Sequence, residues 1–210
     1  MDSRMRLVAA AGHDLRTPMT RMRLRAEFIP DDAEREKWLG DLAELDAIAD
    51  SAIRLVPEEA DSDELEPLRL DRLVSEVADE LTHLGYRVRA GSLAPISVRS
   101  GPTALKRVLR NLLINAATHG GGATVDLAGE GEEAVLTVRD EGPGIPEHLI
   151  GQVFEPFFRV DPARRKMLPG AGLGLAIAKE IIERFGGTLA IANRSPKGLV
   201  QTVRLPRVTS

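Results

Sequence analysis

Apolar residues recur at three- and four-residue steps near the start of the chain. Val8, Ala11, Leu15, Met19, Met22, Ala26 and Ile29 fall on one stripe, which predicts an amphipathic helix over 5–29. Pro30-Asp31-Asp32 interrupts the pattern, and Asp32 is the expected cap of the next helix. The stripe resumes over 33–56 with Trp38, Leu42, Leu45, Ala49, Ala52 and Val56. Two such helices joined by a short turn form an antiparallel hairpin. One hairpin has too little core to be stable alone. Two of them pair into a four-helix bundle, so a homodimer is expected.

The run PEEADSDELE at 57–66 is acidic and nearly devoid of apolar residues, as a linker is. The periodicity then changes. Helical patterns at 71–84, 102–118, 146–153 and 174–185 are interleaved with strand-like runs at 86–90, 96–99, 123–128, 134–140, 188–193 and 199–205. This predicts an α/β sandwich, a mixed sheet covered by helices. The expected organisation is a helical hairpin over 1–58, a linker over 59–66 and an α/β domain over 67–210.

Composition narrows the chemistry. The net charge of −4 argues against nucleic acid as the partner. The chain has no cysteine, which removes disulfides, zinc–thiolate sites and thiol catalysis. No apolar run approaches the roughly 20 residues that span a bilayer, so no membrane contact by this chain itself is expected.

His13-Asp14-Leu15-Arg16-Thr17-Pro18 is the first constellation. On a helix His13 and Thr17 each lie about 160° from Leu15, on the face opposite the stripe. A solvent-facing neutral imidazole is a competent nucleophile. The adjacent Asp14 can hold its tautomer and accept a proton. Pro18 cannot donate to the Asp14 carbonyl, which predicts a bend after the histidine.

Three further motifs follow. Asn111 and Asn115 lie one turn apart on one helix face, and their carboxamide oxygens suit Mg²⁺ held between protein and phosphates. Asp140-Glu141-Gly142-Pro143-Gly144 joins a strand to a helix. There a carboxylate can accept from an exocyclic amine such as adenine N6, and the glycines let backbone approach the base. Gly170-Ala171-Gly172-Leu173-Gly174-Leu175 opens a helix, and its amides make an anion site for phosphates. The glycine spacing also fits a dinucleotide fingerprint, but that needs a preceding strand. Arg164, Arg165, Lys166 and Pro169 stand there instead, as in a lid over about 155–170.

In this order the motifs resemble a known family. HDLRTP followed by a second amphipathic helix is similar to the phosphoacceptor box of sensor histidine kinases. NLLINA, DEGPGIP, FEPFFR and GAGLGLAIAK resemble their ATP-binding domain, the Bergerat fold shared with gyrase, Hsp90 and MutL. HDLRTPMTRMRL and FFRVDPAR look like the osmosensor EnvZ branch. The resemblance covers nearly the whole chain. It implies ATP and Mg²⁺ as ligands, with His13 phosphorylated, Asp14 its acid/base partner, and Thr17 orienting water when a phosphorylated response regulator is dephosphorylated. It implies that Asn111 and Asn115 handle Mg²⁺ and phosphates, that Asp140 reads adenine and that Gly142 and Gly144 shape the base pocket. Phe154 and Phe158 would anchor the lid, and Gly170, Gly172 and Gly174, with Leu173 and Leu175 between and after them, would line the phosphates.

It further implies a response regulator as partner, docking near His13 and Arg16, Arg21 and Arg23, and a place on the cytoplasmic side of a membrane-bound parent protein. Two positions depart from the family. Lys or Arg, then Tyr, often follow the second asparagine, where this chain has Thr118 and His119. Arg159 or the Arg164–Lys166 cluster then supplies the missing cation, and His119 either stacks near the nucleotide or is a surface residue. Gyrase and Hsp90 carry a water-activating Glu where this chain has Asn111. An amide is a poor base, which favours transfer to His13 over hydrolysis.

Overall fold

The computed structural model describes residues 15, 17–53, 64–160 and 172–208. The chain divides into two compact units, Met1–Glu58 and Glu59–Ser210.

In the first unit, helix α1 covers 17–26 and helix α2 covers Asp32–Ile53. Between them Phe28 and Ile29 donate back to the carbonyls of Arg25 and Ala26. The cap of α2 is Asp31, not Asp32. Asp31 Oδ1 accepts the Glu34 N–H at 2.8 Å, whereas Asp32 is already helical and its carboxylate pairs with Arg35. A cap must sit one residue outside the helix, with its side chain reaching the third residue in. Arg35 also donates to the Ile29 carbonyl at 3.1 Å and ties the turn to α2. Met19, Ala26 and Leu42 are buried, but Leu15, Met22, Leu24, Trp38 and Leu45 are each more than 40% exposed. One chain covers only part of its apolar stripe. The expected helix before residue 15 and beyond 53, and Asp14, whose carbonyl the bend expected at Pro18 would free, lie outside the described residues.

The second unit is the predicted α/β sandwich. Its elements are β1 Glu66–Arg69, α3 Leu70–His83, β2 Val88–Leu93, β3 Ser97–Ser100, α4 Pro102–Gly120, β4 Ala123–Glu130, β5 Glu133–Arg139, α5 Gly174–Arg184, β6 Thr188–Asn193 and β7 Leu199–Pro206. Five strands form one sheet in the order β2-β4-β5-β7-β6. β2 runs parallel to β4 and the other neighbours are antiparallel. β1 and β3 make a separate antiparallel pair.

Helix α4 forms because Pro102 opens it and apolar residues follow at helical spacing. It buries Leu105, Val108, Leu109, Leu112 and Leu113. The sheet supplies Val125, Leu127, Leu136, Val138 and Val203 to the core. Each such side chain contributes roughly 1.5–3 kcal/mol when fully buried. The exposed ion pairs of Lys106 with Glu76 and Glu80, and of Arg110 with Glu80, join α3 to α4, and pairs of that kind contribute about 0–1 kcal/mol. Packing therefore sets the position of α4. Gln201, fully buried on β7, adds one directed tie, donating to the Leu112 carbonyl at 3.3 Å.

Two expectations change. Glu66 belongs to β1, paired with Ser100, so the linker ends before it. The helix expected over 146–153 is a 3₁₀ helix over Glu147–Gln152.

Candidate nucleotide site

Asp140 follows the last residue of β5 and is 3% exposed. A buried carboxylate needs hydrogen bonds. Its Oδ1 accepts the Gly142 N–H at 2.8 Å and the Leu199 N–H at 3.1 Å. Its own N–H donates to the Leu199 carbonyl, and its carbonyl accepts from Arg194 Nη1 at 2.8 Å. Oδ2 accepts no hydrogen bond from the described residues. Glycines make this packing possible. A Cβ on Gly120 would stand 2.2 Å from Asp140 Cβ, and one on Gly198 would stand 2.1 Å from the Asp140 carbonyl oxygen. A Cβ on Gly142 would stand 2.8 Å from the Gly120 Cα.

Helix α4 links this carboxylate to a second centre. Gly120 ends the helix against Asp140, and Asn111 lies nine residues earlier, about 14 Å along the axis. The Asn111 amide nitrogen is buried without a hydrogen-bond partner. Its carboxamide lies over the first residue of α5, since a Cβ on Gly174 would stand 3.6 Å from Asn111 Cγ. The α5 N-terminus has no side-chain cap, and its first return bond is from Ile177 to the Leu173 carbonyl. Among the described residues the amides of 174–176 meet no acceptor, and they stand at the positive end of a helix. Asn115 is half-buried one turn on from Asn111. The donor set fits phosphates and a magnesium ion: backbone amides at a helix start, an orphaned buried N–H and carboxamide oxygens. The Asp140 carboxylate stands at one end of α4 and the buried Asn111 amide near its middle.

The far wall is apolar. Phe154, Phe158, Leu175 and Ile145 pack on the buried trio Val153, Ile191 and Leu199. Lys179 Nζ lies 4.8 Å from the Phe154 ring centroid, within cation–π range. Phe157 donates to the Gly172 carbonyl at 3.0 Å. Gly172 has φ +72°, and a Cβ there would be 2.7 Å from the Phe158 carbonyl oxygen. At the end of α4, His119 is exposed on one side. Desolvation of its other side, and then the Arg159 guanidinium, push its pKa below the ordinary value, while Asp140 pulls weakly upward. The shift favours the neutral ring, a poorer partner for phosphate than a cation.

Comparison with known proteins follows the same lines. The model of the family described as histidine kinase-, DNA gyrase B-, and HSP90-like ATPase matches residues 100–209. The solved histidine kinase domain of the E. coli osmosensor EnvZ is 31% identical, with a TM-score of 0.55, and the match covers 70% of this chain and 91% of that one. The chain belongs to the histidine kinases of this ATPase family. A solved mycobacterial sensor histidine kinase, MprB, has a TM-score of 0.62 at 29% identity over 69% of this chain and all of that one. The sensor histidine kinase GtrS of Pseudomonas aeruginosa is 38% identical over 99% of this chain but only 43% of its own length. The chain spans less than half of that curated relative.

Within this histidine kinase chain, Asn111, Asn115, His119, Asp140, Gly142, Gly144, Phe154, Phe158, Arg159, Gly172, Leu173, Gly174 and Leu175 all lie in the second unit. The side chain of Leu173 is buried and only its backbone is available to a ligand. Gly172 serves the packing of Phe157 and Phe158. Thr17 is exposed on α1. His13, Asp14, Arg16, Gly170 and the Arg164–Lys166 cluster lie outside the described residues. Sequence reasoning missed Gly120 and Gly198, whose need arises only when the chain brings them onto Asp140. It also missed Asn193, which accepts from the Ile145 N–H and donates to the Ile145 carbonyl. Among the described residues no helix is long and apolar enough to cross a membrane.

Proposed function

We propose that the second unit binds ATP with Mg²⁺ and that the chain phosphorylates its own His13. One observation carries the reading: the orphaned Asn111 amide lies against the uncapped start of α5, on the same helix whose end abuts the half-satisfied Asp140 carboxylate. Adenine N6 would donate to Asp140. The 174–176 amides and the Asn111 N–H would hold phosphate oxygens. Asn111 and Asn115 oxygens would hold Mg²⁺, which neutralises phosphate charge. An imidazole nitrogen of His13 then attacks the γ-phosphorus. The bond to the β,γ-bridging oxygen breaks, ADP leaves with its electron pair, and Asp14 takes the ring proton. Positioning and electrostatic stabilisation supply the rate.

The phosphoryl group next passes to an aspartate of a response regulator, which docks around Arg21 and Arg23 on α1. The exposed Leu15, Met22, Leu24, Trp38 and Leu45 support pairing of the helices with those of a second copy. Thr17 would orient water in regulator dephosphorylation.

Incubation with γ-labelled ATP tests the reading. The expected result is a base-stable, acid-labile label on the chain that is lost in His13→Ala. Phosphate release that His13→Ala leaves unchanged, with no label on the wild-type chain, would make the protein a hydrolase instead.

A further inference from the structure

We infer that Asn193 and Arg194, at the end of β6, are positioning residues for the nucleotide base, acting by gripping both ends of the Asp140–Ile145 loop. The inference rests on the reading that this loop walls the adenine pocket. Asn193 Oδ1 accepts the Ile145 N–H at 2.8 Å, and its Nδ2 donates to the Ile145 carbonyl at 2.7 Å. The side chain imitates a paired strand for a single residue, where the loop has left the sheet. Arg194 holds the other end, through the Asp140 carbonyl at 2.8 Å. Its backbone N–H donates to the Gly198 carbonyl at 2.9 Å, which closes the turn between β6 and β7.

Leu199 also holds Asp140, and Ile145 packs on Ile191 and Leu199, but between these points the loop borders open space. An open cleft of about 570 Å³ lies beside the clamp, lined in part by Pro143, Ile145, Val160 and Lys197. Gly144, at φ +78°, is shaped to the clamp: a Cβ there would stand 2.7 Å from Asn193 Oδ1. The chemistry of the clamp is specific to a carboxamide. A carboxylate keeps the acceptor for the Ile145 N–H but sets an oxygen against the Ile145 carbonyl. A serine has too few arms, and alanine has none. Among the described residues no hydrogen bond joins Asn193 to the proposed phosphate-binding groups on α4 and α5. Loss of the clamp should therefore damage base recognition and spare phosphate binding.

The test uses the full chain with Mg²⁺ and compares equilibrium binding of ATP, GTP and inorganic tripolyphosphate. Asn193→Ala removes two neutral hydrogen bonds and is expected to raise the Kd for ATP about tenfold. It should also narrow the preference for ATP over GTP and leave tripolyphosphate binding within twofold. Asn193→Asp should behave like Asn193→Ala despite its similar size, and Asn193→Ser should fall between them and the wild type. An ATP Kd and an ATP/GTP ratio within twofold of wild type in both Asn193→Ala and Asn193→Asp would overturn the inference. So would equal loss of ATP and tripolyphosphate binding that tracks a fall in melting temperature, because that marks a merely structural residue. If wild-type protein does not prefer ATP to GTP, the base-pocket reading fails first and takes this one with it.

Discussion

The Phe157 N–H meets the Gly172 carbonyl at 3.0 Å. These two residues flank the basic segment that holds Arg164, Arg165 and Lys166. The bond ties Gly172 to the apolar wall of Phe154, Phe158 and Leu175. Gly172 sits in the left-handed region, where alanine costs about 1 kcal/mol or more, and its Cβ would press on the Phe158 carbonyl. Gly172→Ala is expected to weaken ATP binding at least tenfold. Its melting temperature should stay within a few degrees of wild type, since the strained contact lies outside the core of α4 and the sheet. A calorimetric titration with ATP beside a thermal melt decides it. Unchanged binding would detach the Phe157–Gly172 tie from the site.

Asp140 separates folding from recognition. Asp140→Ala leaves the Gly142 and Leu199 amides without their acceptor, at roughly 2–6 kcal/mol for the pair. Asp140→Asn keeps an acceptor for both amides and replaces the free oxygen with a donor. A donor facing an exocyclic amine repels it. The asparagine variant should melt near wild type yet bind ATP at least tenfold more weakly, whereas the alanine variant should lose both. Tight ATP binding by the asparagine variant would refute the base contact.

The sheet and its three helices were legible because their apolar periods are long. α4 was expected over 102–118 and runs over Pro102–Gly120, and β6 has its expected bounds. β1 was not legible. It is four residues long, contains Pro67 and carries one internal apolar residue, Leu68, so it reads as the tail of the acidic linker until Ser97–Ser100 pairs with it. The candidate site was legible where one local motif holds its residues, as at Asp140 and Gly142, which the fold brings together. Gly120, Asn193 and Gly198 had no such signal. Their roles arise from contacts with residues 20 or more positions away, which no local pattern encodes.

His119 provides a titration test. Burial of one side of the ring, with Arg159 nearby, holds its folded pKa below the ordinary value. The folded chain thus binds this proton less readily than the unfolded chain does. The sign follows: the group costs stability as pH falls through the ordinary histidine range near 6.5, and costs nothing above it. Followed by NMR, His119 should titrate below 6.5 in the wild type and move upward in Arg159→Ala. No movement in that variant would show that Arg159 does not face the ring.

Thr17 is exposed on α1. If it orients the water that attacks a phosphorylated regulator, Thr17→Ala should leave autophosphorylation within about twofold of wild type. Regulator dephosphorylation should fall at least tenfold, a loss of about 1.4 kcal/mol in the barrier. Parallel assays with labelled kinase and labelled regulator measure the two. Equal loss of both activities would reject the role.

Asn111 presents the sharpest conflict between stability and function. Its amide nitrogen is buried and unpartnered, and such a group costs roughly 1–3 kcal/mol. Nothing in folding selects for it, while a phosphate oxygen would satisfy it. Asn111→Ala removes the orphaned donor together with some packing against Gly174. It should therefore melt at or above the wild-type temperature while losing Mg²⁺-dependent ATP binding and labelling of His13. Asn111→Asp keeps oxygen ligands for the metal but drops the N–H donor, so it should retain metal dependence at reduced affinity. A fall in the Asn111→Ala melting temperature of more than about 5 °C, which at this size is a loss of more than 1 kcal/mol, would show that the residue stabilises the fold. Its unpaired amide would then be no evidence for a ligand.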